Sequence, residues 1–159
     1  MKGEVRTAQP DDGTFLQQAL LWAANWRGAA TDGSSLLDPT IAHYVEGWPR
    51  EGDFGMVAED ETGPIGAAWC RTFSPDDPGF GYIGPEIPEL TIAVAPSRRG
   101  GGVGTALLDA LINRARSNGV AVLSLSVEDG NEAVRLYERV GFRPAQRSEN
   151  ALTMRLDLR

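Results

Sequence analysis

Leu90–Leu108, LTIAVAPSRRGGGVGTALL, joins three patterns without a break. Leu90, Ile92 and Val94 alternate with smaller residues, the period-2 pattern of a strand with one buried face. Pro96 ends the strand, because it has no N–H to give to a ladder. Arg98, Arg99 and glycines at 100, 101, 102 and 104 follow. Val103, Ala106, Leu107, Ala110 and Leu111 then recur at the spacing of a helix stripe. A strand, a glycine-rich turn and a helix make an anion site for a physical reason. The N–H groups of the first helical turn lack intrahelical partners, and the peptide dipoles add partial positive charge there. Glycines let a phosphate approach that backbone without meeting a Cβ, and an adjacent arginine adds a charged donor fork.

The glycines do not fit the commoner phosphate motifs. A P-loop needs a lysine after its last glycine, and Lys2 is the only lysine in the chain. The dinucleotide pattern GxGxxG fails too: read from Gly100 its last position falls on Thr105, and from Gly102 on Leu107. What the stretch does carry is VxPxxRxxGxG, on Val94, Pro96, Arg99, Gly102 and Gly104. This resembles the pyrophosphate-binding motif of the GNAT superfamily of acyl-CoA N-acetyltransferases. Arg98 departs from it, since that family more often has an aromatic residue there. A second stretch, Asn131–Phe142 (NEAVRLYERVGF), is similar to the family's NxxAxxLYxxxGF segment: Ala133, Leu136, Tyr137, Gly141 and Phe142 are in register, and Asn131 stands one residue closer to the alanine than the pattern has it.

The resemblance implies an α/β (α+β) fold with a mixed, mainly antiparallel seven-stranded sheet flanked by helices, its central parallel pair splayed. It implies acetyl-CoA as cosubstrate and direct attack by a primary amine in a ternary complex. The pyrophosphate would lie on Arg99, Gly100, Gly101, Gly102, Val103, Gly104 and Thr105. Backbone groups of Ile92, Ala93 and Val94 would bind the pantetheine amides and the acetyl carbonyl, by oxyanion logic. Asn131 has two readings, N-cap of its helix and cofactor contact. Tyr137 would stand beside the thioester sulfur and donate to the leaving thiolate, and its alternative is a half-buried core tyrosine. Glu89, at the start of the central strand, is the leading carboxylate to take the proton of the incoming ammonium, directly or through water. Glu86 is second. A solvated strand-end carboxylate is the plain alternative for Glu89.

Composition sets the bounds. With 159 residues, 42% apolar and 23% charged, the chain reads as one globular domain over residues 1–159. No apolar run approaches the ~20 residues of a bilayer span, and the N-terminal stretch lacks a signal-peptide core, so a soluble cytoplasmic protein is expected. One cysteine, Cys70, and one histidine, His43, exclude a disulfide framework and a Cys- or His-rich metal site. Net charge is −7, which disfavours a nucleic-acid partner. Arg98, Arg99, Arg114, Arg116, Arg135, Arg139, Arg143 and Arg147 nonetheless gather in the second half, where an anionic cofactor has use for some of them.

Around the central stretch the elements follow in order. Val5–Thr7 reads as a first strand. Asp11 and Asp12 are N-cap candidates for a helix with the stripe Phe15, Leu16, Ala19, Leu20 and Ala23. Gly28–Ser35 is a loop, and Asp38-Pro39 caps a second helix that runs to about Gly47. Phe54–Glu59 and Ile65–Phe73 form a hairpin; in the second strand Ile65, Ala67, Trp69, Arg71 and Phe73 share one face. Ser74–Pro88 is a long loop, a natural place for substrate contacts. Ala121–Val127 is a strand, Ala133, Leu136, Tyr137 and Val140 mark a helix closed by Gly141, and Phe142–Gln146 and Ala151–Leu158 are the last strands.

The acceptor is expected to be a small cationic primary amine, drawn to carboxylates at Glu46, Asp53, Asp76, Asp77, Glu86 and Glu89. His43, Tyr44 and Trp48, with Trp22 and Trp26, form an aromatic N-terminal set suited to packing or to an acceptor wall. Cys70 as an acylated nucleophile lacks a histidine placed beside it by any motif, and a small core residue is its other reading. Two rival readings are a non-catalytic CoA-binding sensor or interaction module, and a different nucleotide-binding enzyme. The first has no need of Tyr137 and the second lacks its P-loop lysine. No metal and no membrane partner is expected, and the sequence admits a homodimer.

Overall fold

In a computed structural model of the chain, residues 3–26 and 33–159 are described. Seven strands hydrogen-bond in the order β1-β2-β3-β4-β5-β7-β6. They are β1 Glu4–Thr7, β2 Phe54–Asp60, β3 Gly63–Arg71, β4 Glu89–Val94, β5 Val122–Glu128, β6 Arg143–Arg147 and β7 Ala151–Asp157. The helices are α1 Gly13–Ala24, α2 Pro39–Ala42, α3 Val103–Ser117 and α4 Ala133–Arg139. The sheet is mixed, with β4 and β5 parallel and the β1–β2, β2–β3, β5–β7 and β6–β7 pairs antiparallel. This is the expected element order and fold class. The chain divides into two compact units: residues up to Cys70 with Thr91–Ile112, and Arg71–Leu90 with Asn113–Arg159.

In the first unit, Leu16, Ala19 and Leu20 of α1 are buried, as their spacing predicts. Asp12 does not serve as the expected side-chain cap of α1. Its carboxylate instead accepts two bonds from the Arg6 guanidinium (2.8 and 2.9 Å) and one from the Gln9 N–H. The Arg6 fork comes first among the causes that hold this carboxyl below the usual carboxylate range. Residues 28–32 of the expected loop lie outside the described residues. Asp38 caps α2 as expected, accepting from the N–H and hydroxyl of Thr40 at 2.9 and 2.7 Å. The helix stops after Ala42, not near Gly47. Tyr44, Val45 and Trp48 close i→i−3 turns onto Ile41, Ala42 and Val45, and one i→i−4 bond, Glu46 N–H to the Ala42 carbonyl, does not carry the α-ladder on. His43 and Tyr44 are buried and meet edge to face, with centroids 4.9 Å apart.

β3 corrects the alternating reading, because Ile65 through Arg71 are buried on both faces. Such a strand sits inside a sheet covered on two sides, and its sequence need not alternate. Trp69 is 1% exposed, and its indole N–H is satisfied by the Tyr44 carbonyl at 2.9 Å. Gly66 lets β4 approach: a Cβ there would lie 3.0 Å from Leu107 Cδ1 and 3.1 Å from the Ala93 carbonyl oxygen. Leu107 itself is fully buried, a burial worth roughly 1.5–3 kcal/mol.

In the second unit, β5 and β7 put Leu123, Leu125 and Val127 opposite Leu156, Met154 and Leu152 on one face. The other face carries Ser124 opposite Arg155 and Ser126 opposite Thr153. α4 ends in a Schellman motif: Phe142 N–H donates to the Tyr137 carbonyl (3.0 Å) and Gly141 N–H to that of Glu138 (3.1 Å). Gly141 takes φ +109°. The hydrophobic contact that accompanies the motif is the edge-to-face pair of Tyr137 and Phe142, 5.9 Å between centroids. The spacing YxxxGF is therefore a helix stop in its own right.

Candidate functional site

The glycine turn lies within the first unit. β4 passes through Ala95, whose N–H donates to the Ile65 carbonyl at 2.8 Å, into one 3-10 turn at Pro96–Arg98. Gly100 and Gly102 then take φ +83° and +87°, the left-handed region where a Cβ is strained. A Cβ built on either meets nothing within 4 Å. These two glycines answer a conformational need, and the space in front of them is open. α3 begins at Val103 and runs for 15 residues. Its first ladder bond is Ala106 N–H to the Gly102 carbonyl, 3.1 Å, so the amides of Val103, Gly104 and Thr105 precede the ladder. Val103, Leu107 and Leu111 of the stripe read from the sequence are buried and anchor the helix, while Ala106 and Ala110 are half-buried and Leu108, Ile112 and Ala115 are buried in addition. Dipole, leading amides and open glycine backbone together fit a pyrophosphate.

The two arginines of the turn differ. Arg98 Nε donates to Asp60 Oδ2 at 3.0 Å, and its NH2 group reaches the Thr62 hydroxyl at 3.3 Å. Asp60 is already held by the Thr62 hydroxyl and N–H, which, with Arg98, keep its carboxyl below the ordinary range. Arg98 thus ties the turn to the β2–β3 hairpin, which accounts for a guanidinium at the position where the sequence departs from its motif. Arg99 is exposed and gives one of its five donors, Nε, to the Val94 carbonyl at 3.2 Å. Ile92 and Val94 are half-buried and Ala93 is buried, so β4 does not have the single buried face expected of it.

The acid–base candidates lie in the second unit. Glu89 is 3% exposed, which overturns both its reading as a solvated strand end and its membership of an exposed acidic mouth. Its Cα partner across the parallel ladder is Ser124, whose N–H donates to the Pro88 carbonyl at 3.0 Å. Tyr137 is buried, and desolvation raises its phenol well above the ordinary tyrosine value. It is a neutral donor at any ordinary pH. Asn131 stands one residue before the N-cap of α4, Glu132, and its Oδ1 accepts the Ala133 N–H at 3.0 Å, so it caps the first turn from just outside the expected position. Its amide NH2 remains the donor with which it would contact a cofactor. Asp76, Asp77 and Glu86 are exposed on the 72–88 loop.

That loop is fastened by Gly81, which the sequence does not single out. A Cβ on Gly81 would stand 2.6 Å from the carbonyl carbon of Leu125 and 2.8 Å from the Ser126 nitrogen, both in the backbone of β5. Here the need is space. Gly81→Ala is expected to cost about 1–3 kcal/mol, as overpacking does, and to lower Tm by several degrees. A melting curve matching the parent's would refute this placement of the loop. Cys70 is fully buried. Among the described residues no group of three or more His, Cys, Asp and Glu is placed to hold a metal ion, and no helix is long and apolar enough to cross a membrane.

Comparison with known proteins gives three kinds of match. The Acetyltransferase (GNAT) family profile matches residues 19–142. Mycothiol acetyltransferase of Propionibacterium freudenreichii is 39% identical over 89 residues, covering 55% of this chain and 27% of that protein. L-2,4-diaminobutyric acid acetyltransferase of Nocardia farcinica is 30% identical over 130 residues, covering 69% and 65%. The chain thus spans less than two thirds of the length of either relative. Among solved structures, ribosomal-protein-alanine N-acetyltransferase from Brucella melitensis superposes with a TM-score of 0.69 at 27% identity, over 97% of this chain and 99% of that one.

Proposed function

The chain belongs to the Acetyltransferase (GNAT) family, and from that premise we propose that it is an acetyl-CoA-dependent N-acetyltransferase acting on a small cationic primary amine. Residues 1–159 would then form one catalytic domain, a reading supported by the family match over residues 19–142, which runs through both compact units. One observation carries the reading: two left-handed glycines with open space before them lead straight into the amides of a 15-residue helix. Acetyl-CoA, when bound, supplies the acetyl group as an activated thioester.

The residues divide the work as follows. The amides of Arg99–Thr105 hold the pyrophosphate, with the Arg99 fork adding charge. Backbone groups of Ile92, Ala93 and Val94 orient the pantetheine and polarise the acetyl carbonyl. Asn131 steadies the cofactor through its amide NH2. Glu89 takes the proton that the acceptor ammonium must lose before it can attack. Tyr137 gives its phenolic proton to the departing sulfur. Exposed Asp76, Asp77 and Glu86 favour a cationic acceptor, and the diaminobutyrate named for one relative is an amine of this class. The enzyme would work in the cytoplasm, the compartment of its cosubstrate.

A mass-spectrometric screen of amines with acetyl-CoA tests this directly. Mono-acetylated cationic amines are expected; acetyl-CoA binding with no acetylated product would support a CoA-binding module without catalysis. Light scattering on the same sample reads whether the protein is a homodimer. Because Cys70 is fully buried, transfer is expected to be direct. Cys70→Ala should keep parent-like kcat, and two-substrate plots should intersect. Parallel lines, or an acetyl group trapped on Cys70, would overturn direct transfer.

A further inference from the structure

We propose that Ser124 is a positioning residue for Glu89, its hydroxyl donating to the Glu89 carboxylate as the acceptor's proton is taken; this rests on the reading of Glu89 as the base. Ser124 is 0% exposed, and its Oγ has no hydrogen-bond partner. A buried hydroxyl left unsatisfied costs stability, so its presence calls for a reason other than the resting fold.

The topology supplies one. Ser124 and Glu89 are Cα partners on neighbouring parallel strands, so their side chains leave the same face of the sheet about 4.8 Å apart along the hydrogen-bonding direction. On its other side Ser124 pairs with Arg155. The Arg155 guanidinium is engaged elsewhere, donating from Nε and NH2 to Asp157 Oδ1 at 3.1 and 2.7 Å. Ser124 N–H is satisfied by the Pro88 carbonyl, at the residue just before Glu89, which pins the serine backbone to the start of β4. The side chain alone is uncommitted. A serine hydroxyl has one proton to give, and a carboxylate turning toward an ammonium presents oxygens to receive it. Such a bond fixes the carboxylate's direction while the amine's proton passes to Glu89; Ser124 keeps its own proton throughout.

The test is a double-mutant cycle read in kcat and KM, with melting curves as a control. Glu89→Gln should lower kcat by roughly 10²-fold, the low end for general base catalysis. Ser124→Ala should lower kcat roughly tenfold, the low end for a hydrogen bond to a charged group, with the acceptor's KM unchanged. Its Tm should equal or exceed the parent's, since the change removes an unsatisfied buried group. In the Glu89→Gln background, adding Ser124→Ala should cost nothing further. A full tenfold loss in that background would show that Ser124 acts by packing and overturn the inference alone. Unchanged kcat in Ser124→Ala would overturn it too. Unchanged kcat in Glu89→Gln would remove the base, and the positioning role with it.

Discussion

Gly102→Val should leave a folded protein with no calorimetrically detectable affinity for acetyl-CoA. Two effects converge at this residue. Its φ of +87° is one that a β-branched side chain does not accept without strain, so the turn must reshape. Reshaping moves the amides of Val103, Gly104 and Thr105 that head α3, the donors assigned to the pyrophosphate. Were the backbone to hold, the new side chain would enter the open space where the anion must approach. Gly119 provides a matched control at the far end of the same helix. It takes φ +81°, and its Cβ would also meet nothing within 4 Å. Its N–H and that of Val120 close a Schellman stop onto Arg116 and Ala115. Gly119→Val should therefore lose stability, about 1–2 kcal/mol for a left-handed position, while retaining cofactor affinity. Unchanged acetyl-CoA affinity in folded Gly102→Val would remove the turn from the binding site.

That comparison also marks what a sequence can and cannot tell about glycine. Gly102, Gly119 and Gly141 serve conformation, and each stands at a helix terminus where apolar spacing starts or stops, so the period itself points to them. Gly66 and Gly81 serve space, and the atoms that demand it belong to Leu107 and to the β5 backbone, far along the chain. Nothing local announces such a contact. Strand positions and helix stripes are readable for the same reason, being short-range patterns of period 2 and 3.6. The sequence pattern overextends α2 because His43, Tyr44 and Val45 supply helix-like apolar spacing that the chain spends mainly on 3-10 turns around a buried aromatic pair.

Burial was the harder quantity. Ala121–Val127, AVLSLSV, alternates as though Ser124 faced water, yet Ser124 is fully buried. Glu89 opens its strand where a charge is easily solvated, yet it is buried too. Both residues share one cross-strand row, and that row exists only once β4 lies beside β5. The acid–base candidates are therefore defined by strand pairing, whereas the glycine turn is legible from spacing alone.

Tyr137→Phe should lower kcat by roughly 10²-fold, the low end for general acid catalysis, with acetyl-CoA affinity nearly intact. The substitution is clean because most of what Tyr137 does structurally survives it. The ring still meets Phe142 edge to face, and the backbone carbonyl still accepts the Phe142 N–H that closes α4. Only the hydroxyl is lost. Burial raises the phenol above its ordinary value near 10, so the proton is present across any practical assay range, and Tyr137 contributes no limb to a neutral pH–rate profile. A phenol this weak transfers its proton only as negative charge builds on sulfur, where a buried donor is most effective. The same shift has a stability consequence of fixed sign. Because the folded phenol holds its proton more tightly than the unfolded one, its contribution is complete below the ordinary value near 10 and is lost as pH rises toward the higher folded value. Wild-type unfolding free energy should therefore fall with pH above about 10 more steeply than that of Tyr137→Phe. If kcat stays at the parent level while this alkaline difference appears, Tyr137 is a buried packing residue and the leaving sulfur takes its proton from water. Loss of kcat together with the alkaline difference places one buried phenolic proton in both roles.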